Sequence, residues 1–198
     1  MHPRSDLPLS DEDRRALLVR ARRAILETVS SLRLPDLPPA AGRLADPAGA
    51  FVTLRCNGRL RSCMGRTDAV HALAETVVQC AITAALQDPR FGPLSAEEMT
   101  GLEIEISVVS ELRPARPEDI ETGIHGIVVS RGASRGLLLP QVALEHNWST
   151  IQFLEAACRK AGLEAGAWRD PETKLFAFTA EVFSEIGLVS LDQQPARG

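Results

Sequence analysis

Asn57-Gly58, set between the runs Phe51–Cys56 and Arg59–Met64, restricts this chain more than any other dipeptide in it. A type I′ turn needs positive φ at both central positions, and these two residue types adopt it at least cost. The stretch Phe51–Gly65, FVTLRCNGRLRSCMG, is therefore expected to fold as a hairpin with a two-residue turn. A turn that tight sets Cys56 opposite Arg59, Leu54 opposite Arg61 and Val52 opposite Cys63. Side chains alternate along a strand, so Arg59, Arg61 and Cys63 would share one face with Val52, Leu54 and Cys56. A guanidinium two residues from a thiol raises its thiolate fraction. The plainer reading of Cys63 is a small core hydrophobe in a half-buried strand.

The rest of the chain supplies elements to pack on that hairpin. Ser10 and Asp13 open an amphipathic helix with Leu17, Leu18, Ala21, Ile25 and Leu32 on one side and Arg14, Arg15, Arg22 and Arg23 on a solvated outer side. It is expected to stop near Leu34, because Pro35, Pro38 and Pro39 cannot continue it. A second helix, capped by Asp68, is expected to run to about Gln87 and end at Asp88-Pro89. Ser95-Ala96-Glu97-Glu98 reads as a short capped turn. Leu102–Val108 alternates, with Leu102, Ile104, Ile106 and Val108 inward and Glu103, Glu105 and Ser107 outward. Gly126–Arg131 and Arg135–Pro140 flank Gly132-Ala133-Ser134 as a second hairpin. Gln141–His146 reads as a short helix, Ser149 and Gln152 as a capping box with Gly162 as the stop, and Lys174–Phe183 as the closing strand. Gln193–Gly198 is expected to be a frayed tail. Hairpin links without regular βαβ alternation point to an α+β fold, a mainly antiparallel sheet flanked by helices.

Charge and cysteine usage narrow the function classes. The net charge of −4, from 22 Lys+Arg against 26 Asp+Glu, lacks the basic footprint of a nucleic-acid binder. No apolar run approaches the length of a membrane span, and the N-terminal MHPRSDLPLSDEDRR lacks the apolar core of a signal peptide. Cys56, Cys63, Cys80 and Cys158 form no CxxC and have no His partner at zinc spacing. The sequence thus calls for no metal and no cofactor, and reduced thiols suit a cytoplasmic protein. No Gly-rich phosphate loop and no carboxylate pair at helical spacing stands out.

Six stretches stand out in combination: LRSCMG at Leu60–Gly65, DPRFGPL at Asp88–Leu94, LEIEISVVS at Leu102–Ser110, HGIVV at His125–Val129, GLLLPQVALEHNW at Gly136–Trp148 and FLEAACRKAGL at Phe153–Leu163. Together they resemble a known family, the AMMECR-type domain, protein A of the AmmeMemoRadiSam system. On this resemblance residues 1–198 make one AMMECR-type domain, with 10–34 as lead-in helix and 51–185 as the family-like core. The family signature Arg-Gly-Cys-Ile-Gly corresponds here to Arg61-Ser62-Cys63-Met64-Gly65, with Ser62 and Met64 departing from it. The resemblance implies a larger and a smaller subdomain with the signature near their junction. It also implies the company of a Memo-like protein, related to class III extradiol dioxygenases, and of a radical-SAM protein. It supplies no established reaction.

Two function classes follow. In the catalytic one, Cys63 is the nucleophile, His125 the base that generates thiolate, and Arg61 the anchor for a carboxylate or phosphate of an unidentified small molecule. Ser62 and Gly65 join the substrate site as members of the signature. Arg90 is either a second anion ligand or a buried arginine that satisfies loop carbonyls with Asp88. Gln141, after the apolar run Leu137–Pro140, either reads substrate or caps the next helix. In the other class the chain is a non-catalytic module that docks a partner through Arg59, Arg61 and Met64, or a small-molecule carrier.

Overall fold

The structure, a computed structural model, describes residues 8–31 and 36–186. The expected stop near Leu34 and the tail Gln193–Gly198 lie outside the described residues. The fold is α+β, and its strands divide between two compact units, each with its own core.

The first unit comprises the chain up to Val109 together with its return from Glu181. Helix α1 spans Asp11–Ser31 and is capped as its sequence predicts: Asp13 N–H donates to Ser10 Oγ, and Ser10 N–H donates back to the Asp13 carboxylate. Strands β1 (Gly49–Cys56) and β2 (Arg59–Arg66) form the hairpin, with φ of 51° at Asn57 and 75° at Gly58. Helix α2 spans Leu73–Leu86, and β3 (Leu102–Val109) pairs antiparallel with β1, giving the row β2-β1-β3. Val52, Leu54, Ile104 and Ile106 pack with Leu17 and Ile25 of α1 and Leu73 and Val77 of α2 into one buried cluster.

Three expectations for this unit need correction. Helix α2 begins at Leu73, not at Asp68, because Arg66 holds the Asp68 carboxylate in a bidentate pair and Leu73 N–H goes to the carbonyl of Asp46. The α1 arginines are not all a solvated face. Arg14 bonds Glu181, while Arg22 bonds Glu185 and the carbonyl of Leu102, so two of them tie the helix to the segment 181–185 and to β3. On β3 the alternation holds for Leu102, Ile104, Ile106 and Val108, but Ser107 and Val109 are buried as well.

The second unit runs from Ser110 to Ala180. It holds the two-residue bridge strand β4 (Arg113–Pro114), the hairpin β5 (His125–Arg131) and β6 (Ser134–Leu138), and the helices α3 (Pro140–Glu145) and α4 (Thr150–Lys160). Strand β7 (Lys174–Ser184) pairs antiparallel with β5 and β4 and passes at its end into the first unit. Ser149 and Gln152 form the expected capping box, and Gly162 follows α4 with φ 74°. Phe153, Leu154, Ala157 and Cys158 of α4 pack on Ile127, Val129 and Leu138 of the hairpin. No described helix is long and apolar enough to cross a membrane.

Candidate functional site

The hairpin register decides what surrounds Cys63. From the turn, Cys56 pairs with Arg59 and Arg55 with Leu60, but Leu54 then pairs with Ser62, which leaves Arg61 as the extra residue of a β-bulge. Everything beyond moves by one: Thr53 faces Cys63 and Val52 faces Met64. The expected pairs Val52–Cys63 and Leu54–Arg61 are therefore wrong. Residues opposite one another share a face, so Ser62 lies with Leu54 on the apolar face and is wholly buried. Cys63 lies on the other face, with Thr53 and with Phe51, Glu105 and Ser107 of the paired positions. Thr53 Oγ1 donates to Cys63 Sγ at 3.3 Å.

Arg61 does not serve the Cys63 thiol, contrary to the expected register. Bulging turns its side chain to the segment that follows α2. There Nε donates to Glu98 Oε1 at 2.6 Å and Nη2 to Glu98 Oε2 and the carbonyls of Gly92 and Pro93. The thiol that feels Arg61 is Cys56, and there burial and the Glu98 charge outweigh the guanidinium and push the pKa up. Arg61 in turn pulls the Glu98 carboxyl down to about 2.

Asp88 organises the strand from the other side. Its side chain is 2% exposed, and it accepts from Ser62 Oγ at 3.0 Å, from Cys63 N–H at 3.2 Å, and from Arg90 N–H, Nε and Nη2 at 3.1, 3.0 and 2.7 Å. These donors, the Arg90 guanidinium first, hold the carboxyl well below the usual carboxylate range. Arg90 pairs with Asp88 and its Nη2 reaches the carbonyl of Cys63 at 3.4 Å, but it is not the expected buried arginine serving loop carbonyls. Its side chain remains 53% exposed. The Phe91 ring lies 5.5 Å from the Arg61 guanidinium carbon and 5.4 Å from that of Arg90, within cation–π range of both.

Gly65 serves packing: a Cβ there would come within 2.3 Å of the Phe51 ring. Arg61, Ser62, Cys63, Gly65 and Arg90 thus gather on the hairpin and the adjoining loop of the first unit. His125 and Gln141 belong to the second. His125 opens β5, and its Nδ1 accepts from Glu121 N–H at 3.1 Å while its own N–H donates to the Glu121 carbonyl. In the first of these hydrogen bonds the Nδ1 lone pair is the acceptor. Gln141 sits in the first turn of α3, behind Pro140. Among the described residues no group of three or more His, Cys, Asp or Glu is placed to hold a metal ion.

Sequence reasoning missed Asp88 as the acceptor that joins Ser62, Cys63 and Arg90. The spacing Asp88-Pro89-Arg90 was legible only as a helix stop with a nearby ion pair. Nothing in it says that the carboxylate faces a strand edge some twenty-five residues back.

The chain is similar to known proteins along most of its length. The AMMECR1 family model matches residues 18–183. A protein of Methanothermobacter thermautotrophicus is 41% identical over 190 residues, which cover 91% of this chain and 98% of that one. A protein of Methanopyrus kandleri is 41% identical over 187 residues, covering 89% and 90%. The crystal structure of an uncharacterized protein from Pyrococcus horikoshii superposes with a TM-score of 0.83 at 37% identity, covering 86% of this chain and 90% of that chain.

Proposed function

This chain belongs to the AMMECR1 family, and we propose that it works through a site centred on Cys63, as an enzyme or as the partner that an enzyme requires. The observation that carries this reading is the contact from Thr53 Oγ1 to Cys63 Sγ on a sheet face that also bears Glu105 and Ser107. A hydroxyl that donates to sulfur supports a negative sulfur, and a polar strand face suits a small polar substrate better than it suits a core. Arg90, not Arg61, is the guanidinium beside this residue. The resemblance supplies the company, a Memo-like protein and a radical-SAM protein, and four free thiols fit a cytoplasmic setting.

Alkylation with iodoacetamide across pH, read peptide by peptide, tests the thiol. Cys63 should react with a midpoint below about 8.5, the value of an ordinary thiol. Cys63→Ser should then remove function in the reconstituted system without lowering thermal stability. A thiol that stays unreactive, together with a destabilised Ser variant, would return Cys63 to the role of packing residue.

A second reading, the non-catalytic docking module, draws on Phe91. Two guanidiniums flank its ring, and each is already neutralised by a carboxylate. Such a rigid aromatic with arginine neighbours has the composition of an interface anchor. Loss of binding to the purified Memo-like partner in Phe91→Ala, with Cys63→Ser binding normally, would favour this reading over the first.

A further inference from the structure

Strand β2 ends its row, so alternate residues along it turn N–H and C=O outward with no strand to receive them. At Cys63 side chains take both groups: the N–H donates to Asp88 Oδ2 and the C=O accepts from Arg90 Nη2. An acceptor and a donor side by side at one residue occupy the place of a neighbouring strand's peptide group. Asp88 and Arg90 are themselves locked by two side-chain hydrogen bonds, and Asp88 also receives the Ser62 hydroxyl on the buried side of the strand. The backbone that carries the thiol is thus held from its edge, by groups that form no part of the sheet.

We infer that Asp88 and Arg90 are a positioning pair for Cys63, in which Asp88 fixes the backbone at the thiol and the two charges act on its sulfur alongside the Cys80 thiol of α2 and Glu105 of β3 on the same face. The inference rests on the Cys63-centred reading above and adds to it how that site is set. Its electrostatic half has a signature that loosening alone cannot imitate. Asp88 is ionised at any working pH, and the Arg90 charge is favoured by Asp88 first and by Cys63 as well. Asp88→Asn leaves Arg90 uncompensated beside Cys63, which favours the thiolate. Arg90→Ala leaves the Asp88 carboxylate uncompensated, which opposes it. A purely structural role would raise access to the thiol in both variants and move them the same way.

The test uses the full chain. Iodoacetamide alkylation, in which sulfur displaces iodide from carbon, is followed at the Cys63 peptide across pH in wild type, Asp88→Asn and Arg90→Ala. The midpoint should fall in Asp88→Asn and rise in Arg90→Ala. Amide exchange supplies a readout that does not depend on the thiol. The Cys63 N–H should exchange roughly tenfold faster or more in a further variant, Asp88→Ala, which removes the acceptor of that charge-assisted hydrogen bond, while amides of α2 keep their rates. Shifts in the same direction, or none, overturn the electrostatic half. An unchanged Cys63 amide in Asp88→Ala overturns the positioning itself. A thiol that resists alkylation in all three proteins defeats the Cys63-centred reading, and the exchange rate still judges whether Asp88 holds the strand.

Discussion

A serine hydroxyl at position 62 sits on the apolar face of a strand with no surface exposed, and it is tolerated there because Asp88 accepts its proton. Burying an unpaired hydroxyl costs about 1–3 kcal/mol, so the residue and its acceptor form one unit. The serine adds this bond to Asp88 without reaching the face that carries Cys63. Gly65 is different, since the space beyond its Cα is filled by the Phe51 ring. Gly65→Ala must push that ring aside, and overpacking of this kind costs about 1–3 kcal/mol. Urea denaturation should show the loss, and Phe51→Leu in the same chain should recover little of it, because the Ala50 carbonyl lies 2.5 Å from that Cβ and a leucine keeps its own Cγ beside it. If Gly65→Ala proved neutral in stability yet blocked function, Gly65 would belong to a binding surface and not to packing.

Among elements, the hairpin and the segment after α2 are coupled through the Arg61–Glu98 pair, and this coupling titrates. The Arg61 hydrogen bond lowers the folded-state pKa of Glu98 to about 2, whereas an unfolded glutamate titrates near 4.3. A depressed carboxyl contributes stability that is fully present above the unfolded value and is lost as pH falls through the folded one. Stability should therefore decline between about pH 4.3 and 2, and Glu98→Gln should flatten that part of a pH series of thermal melts; an unchanged slope would show that the pair contributes nothing. The same pair explains what the sequence left hidden. The turn at Asn57-Gly58 and the capping boxes at Ser10, Ser95 and Ser149 were legible because each is decided by residues within three or four positions. The bulge at Arg61 was not, because what draws its side chain out of register is Glu98 with two loop carbonyls, more than thirty residues downstream. One displaced residue then turned Cys63 to the opposite face, so the candidate cysteine was legible and its neighbours were not.

At the scale of the molecule, the chain leaves the first unit after Val109 and returns to it within β7. The last residues of that strand are therefore structural members of a unit whose other strands were built much earlier in the sequence. Phe183 is 8% exposed in the core with α1, α2 and β3, while Glu181 and Glu185 bond Arg14 and Arg22 of α1, and Glu185 also accepts from Ile104 N–H of β3. Lys174–Thr179 of the same strand pair with β5 in the second unit. Phe183→Ala should remove about 3–5 kcal/mol, the usual range for a buried phenylalanine, and the loss should fall on the first unit. Hydrogen exchange can locate it: amides of α1, α2 and β3 should exchange faster, whereas those of β5, β6 and α4, which pack around Phe153 and Ile127, should keep their protection. Equal loosening of both sets would show that the two cores unfold as one cooperative block, and the assignment of Phe183 to the first alone would fail.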